Sequence, residues 1–316
     1  MKLSQLHHLI AVAEAGTVRQ AAKALFLSQS SVTKSIQQLE ESIGAELLHR
    51  GSHGVTPTAA GQALIARAKV IEAELREARN DIDSIQGGGT GEIKITMSPT
   101  VTMLLAPQAI LAFRRTRPKV TFQLQEGVYP DVLRSVRNGE FDFAICLTPE
   151  RPRDEGLTCE LLVPDQITPA VRLNHPLTKT KNKLADLVDS DWVVYRRGRS
   201  GRDVFEQTFI AAGLQPPSST IECTTFALNL ILVARSDFIT LVPKSMFSDK
   251  AATWGVRPLT MDMIMPAWNI AVFYRSEHEL SPVCLAFLQE LRKAASSILA
   301  SAGPFERLLA WIDSPE

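Results

Sequence analysis

Seven apolar residues, Leu64, Ala68, Ile71, Leu75, Ala78, Ile82 and Ile85, step by four and three through one charge-rich stretch, which runs into Gly87-Gly88-Gly89-Thr90-Gly91. Steps of three and four place side chains on one face of a helix. The spacing therefore predicts a single helix over residues 58–86, with Thr58 capping its start. At ~1.5 Å per residue such a helix is about 40 Å long. Arg67, Lys69, Glu72, Glu74, Arg76, Glu77, Arg79, Asp81 and Asp83 fill its other faces. A seam that narrow calls for a partner helix, so we expect dimerisation through Leu64, Ala68, Ile71, Leu75, Ala78 and Ile82. The glycine run lacks Cβ atoms, and residues 87–91 are expected to form a hinge.

The helix divides a 316-residue chain, longer than one ordinary core. With 45% hydrophobic and 22% charged residues the composition is globular. The formal net charge is zero, which argues against a broad non-specific nucleic-acid surface but allows a small reader domain. Cys146, Cys159, Cys223 and Cys284 form no CxxC pair and have no histidine at zinc-ligand spacing. They read as reduced thiols, with a redox sensor of the disulfide-switch kind as the alternative, and neither a metal nor a cofactor is expected. The start lacks the features of a secretion signal, and no apolar run approaches the ~20 residues of a membrane span. The expected location is the cytoplasm, with no membrane partner. An enzyme is not expected. Ser200 lacks the spacing of a nucleophile elbow, and the glycine run lacks the Lys-Ser/Thr of a phosphate loop.

Ahead of the long helix the periodicity is helical and short. Leu3, Leu6, Leu9/Ile10 and Ala13 predict a helix over 3–15 that Gly16 ends. Thr17-Val18-Arg19-Gln20 is a capping box opening a second helix, with Ala21, Ala22 and Leu25 inward. Ser28 caps a third helix over 29–43 with Val32, Ile36, Leu39 and Ile43 buried, and Gly44 closes it. Two short helices joined by a tight turn match the helix-turn-helix plan. The outward face of the third helix, Gln29, Ser30, Ser31, Thr33, Lys34 and Gln37, carries the amide, hydroxyl and cationic groups that read base edges and phosphates. Ser28, Thr17 and Arg19 join these candidates at the two helix starts. Leu47–Arg50, the turn Gly51-Ser52-His53-Gly54 and Val55-Thr56-Pro57 read as a wing, with Arg50, His49 and His53 placed to approach the DNA.

These segments, with Ala21-Ala22-Lys23-Ala24-Leu25, Leu27-Ser28-Gln29-Ser30-Ser31-Val32-Thr33, Ile36-Gln37-Gln38-Leu39-Glu40 and Val55-Thr56-Pro57-Thr58-Ala59-Ala60-Gly61, resemble the LysR-type transcriptional regulators almost step by step. Further on, Gly91–Ile95, Gly139–Ile145 and His175-Pro176-Leu177 also look like the family. Ser30-Ser31, Lys34, His49 and Pro57 depart from its usual residues, which bears on target sequence and wing contacts. The resemblance implies an α+β multidomain protein. It would have a winged helix-turn-helix (1–57), the linker helix (58–86) and the hinge (87–91). A periplasmic-binding-protein-like α/β effector domain of two subdomains (92–162 with 267–300, and 163–266) would follow, then a tail (301–316). It also implies a regulator that binds double-stranded DNA as a dimer or tetramer, answers a small-molecule effector and engages RNA polymerase.

Within the last zone the residues give their own reading. Glu92–Met97 alternates as a strand with Ile93, Ile95 and Met97 on one face. Ser98–Thr102 then opens a helix over 103–115. Strands are expected over 120–125, 141–147, 192–195 and 268–274, and helices from Thr224-Thr225-Phe226 and over 282–295. Asp142 is expected within a strand, holding structure. Ligands of α/β sheets sit beyond the carboxyl ends of strands, often on helix N-termini. The effector candidates are therefore Ser98, Thr100, Val101, Thr102, Val128, Tyr129, Leu147, Thr148, Arg199, Ser200, Thr225 and Phe226. The Arg196–Arg202 turn would suit an anionic effector such as an aromatic carboxylate.

Overall fold

The computed structural model describes residues 1–51, 54–85, 89–149, 152, 156–195, 200–247, 254–275 and 280–301. It forms two compact units, Met1–Ile82 with Arg137–Glu140, and the rest of the chain.

The first unit begins with α1 (Leu3–Ala15), α2 (Val18–Ala24) and α3 (Gln29–Ile43). Gly16 and Gly44 end α1 and α3 in the left-handed conformation, each N–H returning to the carbonyl four residues back. The buried stripe of α1 is Gln5, Leu6, Leu9, Ile10 and Val12. Leu3 is exposed and Ala13 half-buried, because α2 and α3 both pack on α1 and turn its inner face toward Val12. On α3, Val32, Ile36 and Leu39 are buried as expected, but Ile43 is exposed at the last turn, beyond the stretch that α1 and α2 cover. Glu40 then directs the chain: its Oε1 accepts from the amides of Leu47 (2.8 Å) and Leu48 (3.3 Å). The antiparallel hairpin β1 (Leu48–Gly51) and β2 (Gly54–Pro57) follows. It docks on the end of α1 through Val55 N–H to the Gly16 carbonyl at 2.7 Å. Gly54 sits at φ +120°, and a Cβ there would lie 2.6 Å from that same oxygen. Thr58 caps α4 (Ala59–Ile85), accepting from Gly61 N–H at 2.9 Å. Lys69–Glu14 (2.8 Å) and His7–Glu72 (2.7 Å) tie α4 to α1.

The second unit holds two sheet layers, one a five-stranded sheet and the other a three-stranded and a two-stranded sheet joined by a bridge between Trp192 and Ile239. In the first, the order is β4 (Thr121–Glu126), β3 (Glu92–Met97), β5 (Phe143–Pro149), β12 (Trp268–Arg275) and β6 (Leu157–Val163). β3 is parallel to β4 and β5, and β12 is antiparallel to β5 and β6. One face packs against α6 (Ala106–Thr116) and α10 (Pro282–Ser301) through Phe113, Phe143 and Phe287, and Val132, Leu133 and Val136 of α7 (Asp131–Arg137) join a separate core with Cys146, Ala271 and Phe273. The helix expected over 103–115 is two helices, α5 (Pro99–Leu104) and α6. Pro107 has no N–H to return to the Met103 carbonyl, so the helix is broken at Leu105. Asp142 precedes β5 rather than lying in it; its carboxylate accepts from Lys94 N–H at 2.8 Å and pins β3 to β5.

In the second layer β7 (Ile167–Arg172) lies between β10 (Thr240–Pro243) and β11 (Val256–Pro258), while β8 (Trp192–Tyr195) runs parallel to β9 (Thr220–Cys223). Val193 N–H to Ile239 O and Ile239 N–H to Asp191 O, both 2.9 Å, join the two halves. α8 (Ser200–Ala211) covers β8 with Phe205 and Phe209 against Trp192, and α9 (Phe226–Ala234) packs beside it. The chain passes between the layers twice, side by side. Ile167 N–H bonds Pro266 O (3.1 Å), and Trp268 N–H bonds Asp165 O (2.9 Å). Among the described residues no helix is long and apolar enough to cross a membrane.

Candidate functional sites

The candidate DNA-reading surface is built around the start of α3. Ser28 Oγ accepts from Ser31 N–H (3.1 Å) and also meets the hydroxyls of Ser30 and Ser31 at 2.9 and 2.7 Å. This cap satisfies one of the orphan amides of the helix and leaves others facing outward, with their positive end of the helix dipole. Arg19, Ser28, Gln29, Ser30, Ser31, Lys34, Gln37 and Arg50 are exposed, and Thr33 is half-buried. Thr17 is the cap of α2: its Oγ1 accepts from Gln20 N–H at 3.2 Å, while Gln20 Oε1 receives the Thr17 hydroxyl instead of the expected backbone amide. His53 lies outside the described residues. On the inner side, His8 Nδ1 meets Ser35 Oγ at 2.7 Å, linking α1 to α3. Burial, aided by neighbouring His7, holds His8 below the ordinary histidine value.

The expected seam of α4 divides. Ala68 is buried in the core of the first unit, with Leu64 packed on it, because the first turns of α4 complete that core. Ile71, Leu75, Ala78 and Ile82 are exposed.

The second unit contains a cleft between its two sheet layers. Two cavities of about 60 and 50 Å³ share Thr100, Leu147, Tyr195, Gly201 and Trp268. One adds Ile167, Val193, Phe226 and Thr240; the other adds Ser98, Val128 and Tyr129. Of the predicted residues the structure thus brings together Ser98, Thr100, Val128, Tyr129, Leu147 and Phe226. Val101 is instead a core residue. Thr102 lies one turn on, returning its hydroxyl to Ser98 O at 3.1 Å and lining a groove with Ile110 and Leu124. Thr148 alternates with Leu147 along β5 and so takes the opposite face. Thr225 is exposed at the cap of α9, leaving Phe226 to enter the cleft. Arg199 and the rest of the 196–199 turn, and the side chain of Ser200, lie outside the described residues.

Sequence reasoning missed Tyr195 and Trp268. Tyr195 ends β8, so the strand-end rule could have found it. Trp268 starts β12, and only the antiparallel register, Trp268 opposite Pro149, carries a strand start to the edge where β5 ends. Among the described lining residues there is no Lys, Arg, His, Asp or Glu. Burial, with Glu126 and Cys223 adding to it, pushes the Tyr195 hydroxyl far up, so it is a neutral phenol. Ser98 Oγ is buried with no hydrogen-bond partner among the described residues, an arrangement that a folded core tolerates poorly.

A three-helix reader with a hairpin wing, a long helix and a two-layer α/β unit with a cleft together define a ligand-responsive DNA-binding regulator. Comparison with known proteins gives the family. Residues 3–62 match the bacterial regulatory helix-turn-helix protein, lysR family, and residues 86–296 match the LysR substrate binding domain. The chain belongs to the LysR family of transcriptional regulators. It is 26% identical over 306 residues to the HTH-type transcriptional regulator GbpR of Azospirillum brasilense, covering 96% of this chain and 89% of that one. It is 29% identical to the transcriptional dual regulator GltC of Bacillus subtilis, covering 89% and 93%. Among solved structures, CbnR, a LysR family transcriptional regulator, superposes with TM-score 0.66 at 25% identity over 93% of this chain and 99% of that one. Full-length CbnR with its target DNA gives the same TM-score at 24% identity, covering 93% of this chain and all of that one. The protein is therefore a DNA-binding transcription regulator with an effector-binding domain, not an enzyme.

Proposed function

We propose that the cleft residues Ser98, Thr100, Tyr129, Tyr195, Phe226 and Trp268 hold a small organic anion with a flat apolar body, an aromatic carboxylate being the favoured class. The observation that carries this is the buried Ser98 hydroxyl, without a partner among the described residues, in a cavity whose other walls are mostly aromatic and aliphatic, with Thr100 as a second hydroxyl. Such pockets take apolar bodies and use a few polar groups to orient them. Gly201 and Phe226 stand in the first turns of α8 and α9, whose N-termini favour a negative charge.

The division of labour follows the expected domains. Residues 1–57 read DNA, 58–86 dimerise, and 92–162 with 267–300 close on 163–266 around the effector; the expected hinge at 87–91 lies partly, and the expected tail at 301–316 almost wholly, outside the described residues. Binding shifts the population of cleft geometries. That biases how dimers assemble into tetramers, and with it the spacing of reader domains on a promoter where RNA polymerase is the further partner. The site of action is the cytoplasm.

The test is Ser98→Ala in the full chain against a panel of aromatic and aliphatic carboxylates, read by Trp fluorescence and by anisotropy of labelled promoter DNA. A hydrogen bond to a charged group contributes about 1.5–3 kcal/mol, so the variant should bind the active carboxylate roughly 10- to 100-fold more weakly while binding DNA alone as before. Equal response in wild type and variant would remove Ser98 from the site.

A further inference from the structure

Phe26 is 96% exposed and stands at φ +55°, the one non-glycine residue with positive φ among the described residues. The turn around it is a Schellman motif closing α2: Phe26 N–H returns to Lys23 O (3.3 Å) and Leu27 N–H to Ala22 O (2.9 Å). That motif puts its left-handed position where Phe26 is, and there glycine is strongly preferred because a Cβ crowds the backbone. A bulky aromatic residue at such a place is a true outlier. Nothing in the fold compensates for it, since the ring is nearly all in solvent. Neighbouring Leu27 is exposed as well. The fold therefore pays twice for Phe26, in backbone strain and in exposed apolar surface, and strain of this kind marks functional positions.

Its place in the unit says what the ligand is. Phe26 lies two residues before Ser28, the cap of α3, and α3 is the helix whose N-terminal turn enters the major groove in a helix-turn-helix. Ala24 and Leu27 apart, the exposed residues around it in sequence, Arg19, Gln20, Lys23, Ser28, Gln29 and Ser30, are cationic, hydroxyl or amide, groups suited to phosphate and base edges. In the major groove the apolar feature is the thymine C5 methyl, which aromatic and small apolar side chains contact.

We propose that Phe26 is a specificity-determining DNA contact that packs on a thymine methyl at the mouth of the major groove beside the start of α3. The inference rests on the DNA-reading role of the helix-turn-helix.

The experiment uses the full-length protein and a duplex that the wild type selects from a random-sequence pool. Phe26→Gly relaxes the turn, so the variant should melt at the same temperature or higher while binding the selected duplex about three- to tenfold more weakly, the scale of one buried methyl or ring contact. Replacing thymines one at a time by uracil removes only the methyl. One such replacement should weaken the wild type by a similar factor and leave Phe26→Gly unchanged, with Phe26→Leu in between. If the wild type selects no sequence, the reading of the helix-turn-helix itself fails, and this contact with it. If the wild type selects a duplex that Phe26→Gly binds equally well, Phe26 alone is overturned. A loss of affinity with no uracil position responding overturns the thymine contact.

Discussion

Changing Ile82 to lysine tests whether the α4 seam is a dimer contact. In the single chain Ile82 keeps 54% of its surface exposed, so its replacement leaves the cores of both units intact. Full burial of an isoleucine side chain stabilises by about 1.5–3 kcal/mol. Covering the exposed half therefore contributes about 0.8–1.6 kcal/mol per copy, and about 1.6–3.2 kcal/mol for the two copies in a dimer. That is about 15- to 200-fold in the dissociation constant of the dimer, before the cost of bringing a charge into the seam. Sedimentation equilibrium across a concentration series reads the constant directly. Gln62→Lys, on an exposed face of the same helix, controls for added charge. Duplex binding should fall in parallel, because a monomer engages one half-site where a dimer engages two. A dissociation constant within threefold of wild type would show that the residues exposed along α4 are not the contact, and the argument from the narrow seam would be wrong.

Other consequences concern the parts that hold each site in place. Gly54→Ala must adopt φ +120° and also push its Cβ against the Gly16 carbonyl; it should cost about 2–4 kcal/mol and lower DNA affinity through the wing, and an unchanged melting curve would contradict the docking of β2 on α1. Glu40→Ala orphans the amides of Leu47 and Leu48 and should destabilise the first unit by about 1.5–3 kcal/mol, checked by urea unfolding. Asp142→Ala removes the acceptor for Lys94 N–H; a loss of about 2 kcal/mol or more with no change in effector affinity would mark it as structural, whereas a selective loss of effector binding would not fit. Trp268→Phe should abolish the effector-dependent part of the tryptophan fluorescence, since Trp268 alone of the described tryptophans lines the cleft.

Much of this molecule is legible without coordinates, and the reason is local. Caps such as Thr17 and Ser28, the left-handed glycines Gly16 and Gly44, and the apolar spacing of α3 act within a few residues, so element positions in the first unit follow from the chain alone. Strand ends could likewise be found, and with them Ser98, Thr100, Tyr129 and Leu147, because side chains at the carboxyl end of a parallel strand meet the cleft whichever neighbours the strand has. What the chain does not announce is set by pairing at long range. Trp268 reaches the cleft only because β12 runs antiparallel to β5. Thr148 and Val101 sit beside cleft residues in sequence yet face elsewhere, a matter of pleat and helix phase against particular neighbours. Ala68 has the spacing of a dimer contact but is consumed by the core of its own unit, and Ile43 has the spacing of a core residue but projects past the helices that would cover it. The strain at Phe26 is likewise invisible in sequence, where Phe26-Leu27 is simply the tight turn between the second and third helices; the φ value and the exposure come only from how α2 ends and α3 begins. Local hydrogen bonding and periodicity determined the elements, and packing of elements far apart in the chain decided which of their faces became core, cleft or contact.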